Sequence, residues 1–157
     1  MADQAVIEAG SSAPEFTMPR DGGGDVSLSD FAGKQVVLYF YPKDDTPGCT
    51  KEAIAFSEAI EAFEAEGAVV IGVSKDSAAK HDKFIAKRDL KVILASDENG
   101  YTCEDYGVWV EKNMYGKKYM GIERATFLIG GDGVVKQVWR KVKVPGHSDA
   151  VLEAVRG

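Results

Sequence analysis

The chain has 157 residues, 45% of them apolar and 10% aromatic, with 19 Lys and Arg against 25 Asp and Glu for a net charge of −6. A chain of this length buries roughly 68–70% of the surface its unfolded form exposes, enough for a full hydrophobic core, which excludes intrinsic disorder. The acidic balance argues against a dedicated nucleic-acid binder, and the presence of only Cys49 and Cys103 excludes a disulfide-stapled scaffold.

Met1 to Val6 shows no basic leader followed by an apolar stretch, and the longest strongly apolar run is Val36 to Tyr41, so neither a signal peptide nor a membrane span is expected and the cytoplasm is the default compartment. No repeat, low-complexity tract or linker divides the sequence, which predicts a single domain over residues 1–157. Asp21-Gly22-Gly23-Gly24-Asp25, between Phe16-Thr17-Met18 and Val26-Ser27-Leu28, suits a hairpin turn, and Ser29-Asp30-Phe31 a capped helical turn. Gln35 to Tyr41 is β-branched and aromatic without polar alternation, as in a strand buried on both faces, and Pro42 ends it.

After Lys43-Asp44-Asp45-Thr46-Pro47-Gly48, the residues Cys49, Ala53, Phe56, Ile60 and Phe63 fall on one helical face, and Gly67 stops that helix. Ala68 to Val73 predicts a second buried strand, Ala78 to Arg88 a helix with Phe84 and Ile85 inward, and Val92 to Leu94 a short strand. Gly100 to Tyr106 reads as a brief helix. Ile122–Ile129 and Val134–Arg140 read as strands joined by Gly130-Gly131-Asp132-Gly133, a hairpin turn and not a phosphate cradle, because strands flank it on both sides. Ser148 to Val155 closes the chain as a helix. This order predicts an α/β thioredoxin-like fold: a central mixed β-sheet, helices on both faces and an N-terminal β-hairpin. Two basic clusters, Lys112/Lys117/Lys118 and Arg140/Lys141/Lys143, lie among Tyr115, Tyr119 and Trp139 and read as solvated faces.

Cys49 falls in the first turn of a helix, where unpaired N–H groups and the helix dipole favour an anion, so it is either a nucleophilic thiolate or a buried packing residue. Thr46, three residues earlier, is either an N-cap or a hydroxyl aimed at the helix mouth, while Pro42 and Pro47 stiffen the loop. Arg124 stands in an otherwise apolar strand, and its charge requires an anion: a thiolate at the neighbouring helix end or a surface glutamate. Glu52, in the same turn as Cys49, is placed to orient that arginine. His81 and His147 read as surface residues, and Asp44 and Asp45 as solvated turn formers without a catalytic role. The cysteines and histidines lack the close pair spacings of a zinc site, so no metal is expected.

The stretch from Pro42 to Cys49, with its threonine and cysteine, together with Arg124-Ala125-Thr126-Phe127, resembles the peroxiredoxins. Tyr106-Gly107-Val108-Trp109, Met114-Tyr115-Gly116-Lys117, Tyr119-Met120-Gly121 and Val142 to His147 are similar to the bacterioferritin comigratory protein subfamily, also called peroxiredoxin Q, the likeness running over about residues 6–155. The resemblance implies a thiol peroxidase without metal, flavin or other cofactor. In it the Cys49 thiolate attacks a hydroperoxide, Thr46 holds the peroxide oxygen, Arg124 stabilises the developing charge and Pro42 shields the sulfur. Thioredoxin or another thiol is the implied reductant and a monomer the implied state, with no nucleic acid or membrane as partner. Many members carry a resolving cysteine five residues after the peroxidatic one; here that position is Ile54. A one-cysteine mechanism is therefore favoured, with Cys103 the alternative resolving thiol. A thiol–disulfide oxidoreductase is disfavoured because Cys49-Thr50-Lys51-Glu52 lacks a second thiol, and a non-enzymatic binding or chaperone module is the remaining rival.

Overall fold

The computed structural model describes residues 6–157, so the expectation for a leader in residues 1–5 lies outside the described residues. The predicted hairpin is formed by β1 (Thr17–Pro19) and β2 (Asp25–Ser27), paired antiparallel with Met18 opposite Val26. A 3₁₀ turn (Leu28–Phe31) follows, its entry held by Asp30, whose carboxylate accepts the Ser27 N–H at 2.9 Å.

Next come β3 (Gln35–Phe40), α1 (Pro47–Glu58), α2 (Ile60–Ala65), β4 (Ala68–Ser74), α3 (Ala78–Arg88), β5 (Ile93–Ser96) and α4 (Thr102–Asp105). The chain ends with β6 (Trp109–Met114), β7 (Lys117–Ile122), β8 (Ala125–Ile129), β9 (Val135–Trp139) and α5 (His147–Arg156). A five-stranded sheet in the order β5-β4-β3-β8-β9 forms the centre, with β8 the one strand running antiparallel to the other four.

Alternation along β3 divides the core. Val37, Tyr39 and Tyr41 face α1, α2, α3 and α5 and pack with Phe56, Phe63, Phe84 and Val151. Val36, Leu38 and Phe40 face the other way, toward Met18 and Val26 of the hairpin and Cys103, Tyr106 and Val108 around α4. Helices thus cover both faces, as predicted. One face carries the four longer helices and the other a single short one with the hairpin.

Two local expectations are corrected. The helical pattern from Cys49 to Phe63 is two helices, because at Ala59 the N–H is shared between Ala55 O and Phe56 O and the axis breaks there. The strand expected over Ile122–Ile129 is interrupted: Ile122 pairs with Trp109, whereas Ala125 pairs with Phe40, so Glu123 and Arg124 bridge two sheets. Lys112, Lys117, Lys118, Tyr115 and Tyr119 belong to a hairpin, β6–β7, that turns at Tyr115 and Gly116 with φ of 54° and 81°. Positive φ at both turn residues matches the twist of a two-residue hairpin.

One contact closes the helix-rich face. A Cβ on Gly72 of β4 would lie 2.6 Å from Tyr39 Cζ and 2.9 Å from Leu94 Cδ2, so the Tyr39 ring, stacked on Phe56 at 4.7 Å, needs the bare glycine beneath it. Gly72→Ala is expected to destabilise the fold by about 1–3 kcal/mol through overpacking. Chemical denaturation checks this, and an unchanged midpoint would show that the ring has room to shift.

Candidate active site

The loop after β3 delivers the chain to the start of α1. Thr46 is the N-cap in extended conformation, and Pro47, the first helical residue, has no N–H to leave unpaired. The first helical bond runs from Thr50 N–H to Thr46 O at 2.8 Å, which leaves the Gly48 and Cys49 amides free at the helix mouth. Cys49 sits there 2% exposed, its side chain on the helix-rich face of the sheet.

Thr46 does not cap the helix with its side chain. Its Oγ1 donates to Lys43 O at 2.9 Å, so the hydroxyl proton is committed and the lone pairs remain available to accept. Pro42 lies exposed where the chain leaves β3.

Arg124 occupies the gap between β7 and β8. Its carbonyl accepts the Val142 N–H at 3.0 Å, which fixes the backbone, and its side chain crosses the first turn of α1. Nη2 donates to Cys49 Sγ at 3.3 Å and Nη1 to Glu52 Oε1 at 2.6 Å. Glu123, its neighbour in the chain, pairs instead with Arg140 at 2.6 Å. Of the two partners open to Arg124 from sequence, the structure selects the cysteine at the helix end, with Glu52 as a second. Gly48 permits this approach, since a Cβ there would stand 3.2 Å from Nη2.

Glu52 is 2% exposed, and its second oxygen, Oε2, is buried without a hydrogen-bond partner among the described residues. Burial raises its pKa to about 7 and outweighs the lowering effect of Arg124. A carboxyl with a raised folded-state pKa stabilises the fold most below its unfolded value and loses that contribution as pH rises toward 7. At Arg124 burial alone would lower the pKa, but Glu52 and then Cys49 outweigh it, so the guanidinium stays charged.

The second cysteine is remote in kind as well as in place. Cys103 is fully buried on the opposite face of the sheet, its N–H donating to Asp97 Oδ2 at 2.8 Å. Burial, reinforced by Asp97, pushes its thiol well up, away from the nucleophilic thiolate.

Three residues assigned to the surface by sequence are buried. His81 is 0% exposed on the inner face of α3, three residues before buried Phe84, and its ring contacts Asp44. Asp44 is accordingly no solvated turn former, whereas Asp45 is one, with φ 61° and surface contacts to Lys87 and Arg88. His147 opens α5 on the same side as Val151 and Val155, its Nε2 within 2.8 Å of Thr126 Oγ1 and its ring edge-on to Phe56 and Trp139. Burial, helped by the Arg124 charge, lowers its pKa to about 4, so it is neutral near pH 7. The signal for both histidines lay in helical spacing, which places them in line with apolar neighbours. Among the described residues, no group of three His, Cys, Asp or Glu side chains is arranged to hold a metal ion.

A free cysteine at a helix mouth, bridged by a half-buried arginine to a buried glutamate on a mixed five-stranded sheet, defines a thiol-based redox site on a thioredoxin-like fold. The AhpC/TSA family model matches residues 9–138. The peroxiredoxin bcp of Coxiella burnetii is 55% identical over 146 residues, 93% of this chain and 97% of that protein. Peroxiredoxin Bcp of Bacillus subtilis is 48% identical, covering 96% of each. Among solved structures, Peroxiredoxin Q of Xanthomonas campestris superposes with a TM-score of 0.88 at 46% identity, over 97% of this chain and 96% of that one. The chain belongs to the AhpC/TSA family, in its Bcp (peroxiredoxin Q) branch, and is a peroxidase that draws electrons from thiols.

Arg124→Ala is expected to slow oxidation of Cys49 by hydrogen peroxide by about 10²-fold or more, as loss of a preorganised charge donor does. Arg124→Lys is expected to recover little, because one ammonium cannot reproduce the fork that reaches both Cys49 and Glu52. Stopped-flow oxidation kinetics decide this, and wild-type rates in Arg124→Ala would make the arginine purely structural. For Glu52, infrared spectroscopy should show a protonated-carboxyl band that fades as pH rises through about 7 and is absent from Glu52→Gln.

Proposed function

We propose that Cys49 is the peroxidatic residue and that the enzyme works by a one-cysteine cycle. The observation that carries this reading is the 3.3 Å bond from Arg124 Nη2 to Cys49 Sγ at the open end of α1. The Cys49 thiolate attacks the terminal peroxide oxygen, the O–O bond breaks, and the remaining oxygen leaves as water or an alcohol after taking up a proton. Cys49 becomes a sulfenic acid. The free Cys49 amide and Arg124 face the charge that develops on the oxygens, Thr46 accepts from the peroxide hydroxyl, and Pro42 and Pro47 hold the loop closed around the sulfur. Glu52 keeps the guanidinium in place.

One external thiol then condenses with the sulfenic acid, releasing water and forming a mixed disulfide, and a second thiol displaces Cys49. Thioredoxin is the reductant this reading favours. Cys103 is left as a core residue: it lies across the sheet from Cys49, and joining the two would require part of the core to open. Alkyl hydroperoxides as well as hydrogen peroxide are the proposed substrates. Alkyl peroxide reduction activity is attributed to the Xanthomonas campestris bacterioferritin comigratory protein, 44% identical with a TM-score of 0.87. A single-domain monomer is the state this reading proposes. The cytoplasm is the proposed compartment, in keeping with two free cysteines and no helix long and apolar enough to cross a membrane among the described residues.

Intact mass after one equivalent of hydrogen peroxide, without added thiol, tests the cycle. The wild type should gain one oxygen and Cys49→Ser none, whereas loss of two hydrogens within one chain would assign Cys103 as resolving thiol. No reaction would remove Cys49 from the mechanism. With excess peroxide the wild type should proceed to sulfinic acid faster than Ile54→Cys, in which a nearby thiol can trap the sulfenic acid first.

A further inference from the structure

Asp44 lies two residues before Thr46 and five before Cys49. Three contacts hold it from behind the loop. Its N–H donates to Asp76 Oδ2 at 2.8 Å, Tyr41 Oη donates to Oδ1, and His81 Nδ1 meets Oδ2 at 2.7 Å. Asp76 is itself held by Ser74 Oγ at 2.7 Å, and its carbonyl accepts from Ser96 Oγ at 2.6 Å. On the far side of the ring, His81 Nε2 meets Ala95 O at 2.9 Å. A carbonyl can only accept, and a carboxylate already taking a phenol proton accepts as well. Both ring nitrogens therefore face acceptors, and the imidazolium is the form in which each contact is a hydrogen bond.

This network ties the middle of the loop to β4, β5 and α3. The loop in turn sets the site, because Thr46 Oγ1 takes its direction from the carbonyl of Lys43, the residue next to Asp44. A shift of Asp44 moves the Lys43 carbonyl, the Thr46 hydroxyl and the mouth of α1 together.

We propose that Asp44 and His81 are positioning residues for peroxide reduction, a buried carboxylate–imidazolium clamp that holds the loop where the Thr46 hydroxyl and the Cys49 amide converge on one peroxide. The proposal rests on the reading of Cys49 as the peroxidatic residue. Neither side chain touches the reacting atoms. Their effect is on geometry, where a displacement of about 1 Å can cost 10²-fold in rate. Burial protects the clamp from salt, and removal of one partner leaves the other desolvated and unpaired.

The clamp also carries a pH dependence. The groups facing the ring are Asp44 from the loop, Tyr41 from the end of β3, Asp76 from the β4–α3 connection and the Ala95 carbonyl of β5, while Lys80 and Asp82 beside it on α3 are exposed. Burial lowers the His81 pKa, but the bond to Asp44, its charge, the Ala95 carbonyl and Asp76 outweigh it, and the net shift is upward from 6.5. The clamp is thus complete below the ordinary histidine range and is lost as pH rises through the raised value.

Single-turnover oxidation of Cys49 by hydrogen peroxide, followed by stopped flow from neutral to alkaline pH, tests the proposal in Tyr41→Phe, Asp44→Asn, His81→Gln and the Asp44→Asn/His81→Gln double variant. Asp44→Asn and His81→Gln should each be slowed about 10²-fold. The double variant should be no slower than the slower single, because the two act as one unit. Tyr41→Phe, which keeps the charged pair, should lose only a few-fold. The wild-type rate should fall at alkaline pH, and that fall should vanish in His81→Gln, which a merely structural histidine would not produce. Wild-type rates in folded Asp44→Asn and His81→Gln, or an alkaline fall that persists in His81→Gln, would overturn the proposal. Should Asp44→Asn fail to fold, His81→Gln and Tyr41→Phe decide it, and wild-type rates in both would count against it. Peroxide turnover by a Cys49→Ser control would instead defeat the reading of Cys49.

Discussion

The guanidinium of Arg124 is a charge held mostly out of water, and a charge so placed requires anions within hydrogen-bond reach. Its two acceptors, Glu52 Oε1 and the sulfur of Cys49, lie on one turn of one helix. Much of the surrounding structure follows from accommodating it. Gly48 has no side chain because the guanidinium passes there, and the chain changes sheets at Glu123 and Arg124 so that the arginine points off the strand rather than into the core. Burial of Glu52 outweighs the pull of Arg124, so its ionisation is poised near pH 7, and one of its oxygens has no hydrogen-bond partner among the described residues. The arginine is therefore shared between a carboxyl that titrates and the sulfur at the helix mouth.

The sheet separates chemistry from packing. On the helix-rich face, Cys49 meets free amides and a cation; on the other, Cys103 sits among Phe40, Tyr106 and Val108 with a carboxylate against its amide. Two thiols of one chain thus meet different surroundings, and burial beside Asp97 holds that of Cys103 in its neutral form. The catalytic loop lies between two charged assemblies, Arg124–Glu52 on the side of the sulfur and Asp44–His81 behind the turn. The first addresses the sulfur and the second fixes the backbone that carries Thr46.

Much of this was legible in the sequence, and what was not has identifiable causes. The strands of the central sheet were readable because β-branched runs without polar alternation suit burial on both faces, and Gly67 marks a helix end by its positive φ. The β6–β7 hairpin was not, since it projects largely into solvent with Tyr115 99% exposed and shows no alternation to read. The break at Ala59 escaped because the apolar face continues across it. Asp44 was misread because adjacent acidic residues in a loop give no sign of whether a histidine far along the chain will lie against one of them.

Sequence alone determined the central strands and the helices between them, the placement of Cys49 at a helix N-terminus and the presence of an arginine needing an anion, because these follow from short-range periodicity, capping and the rule that charge is not buried alone. Only the tertiary structure decided that Arg124 reaches Cys49 and Glu52 rather than Glu123, that His81 and His147 are buried, and that the two cysteines lie on opposite faces. Those outcomes depend on strand order and on contacts between residues 21 to 75 positions apart, for which a single sequence carries no local signal.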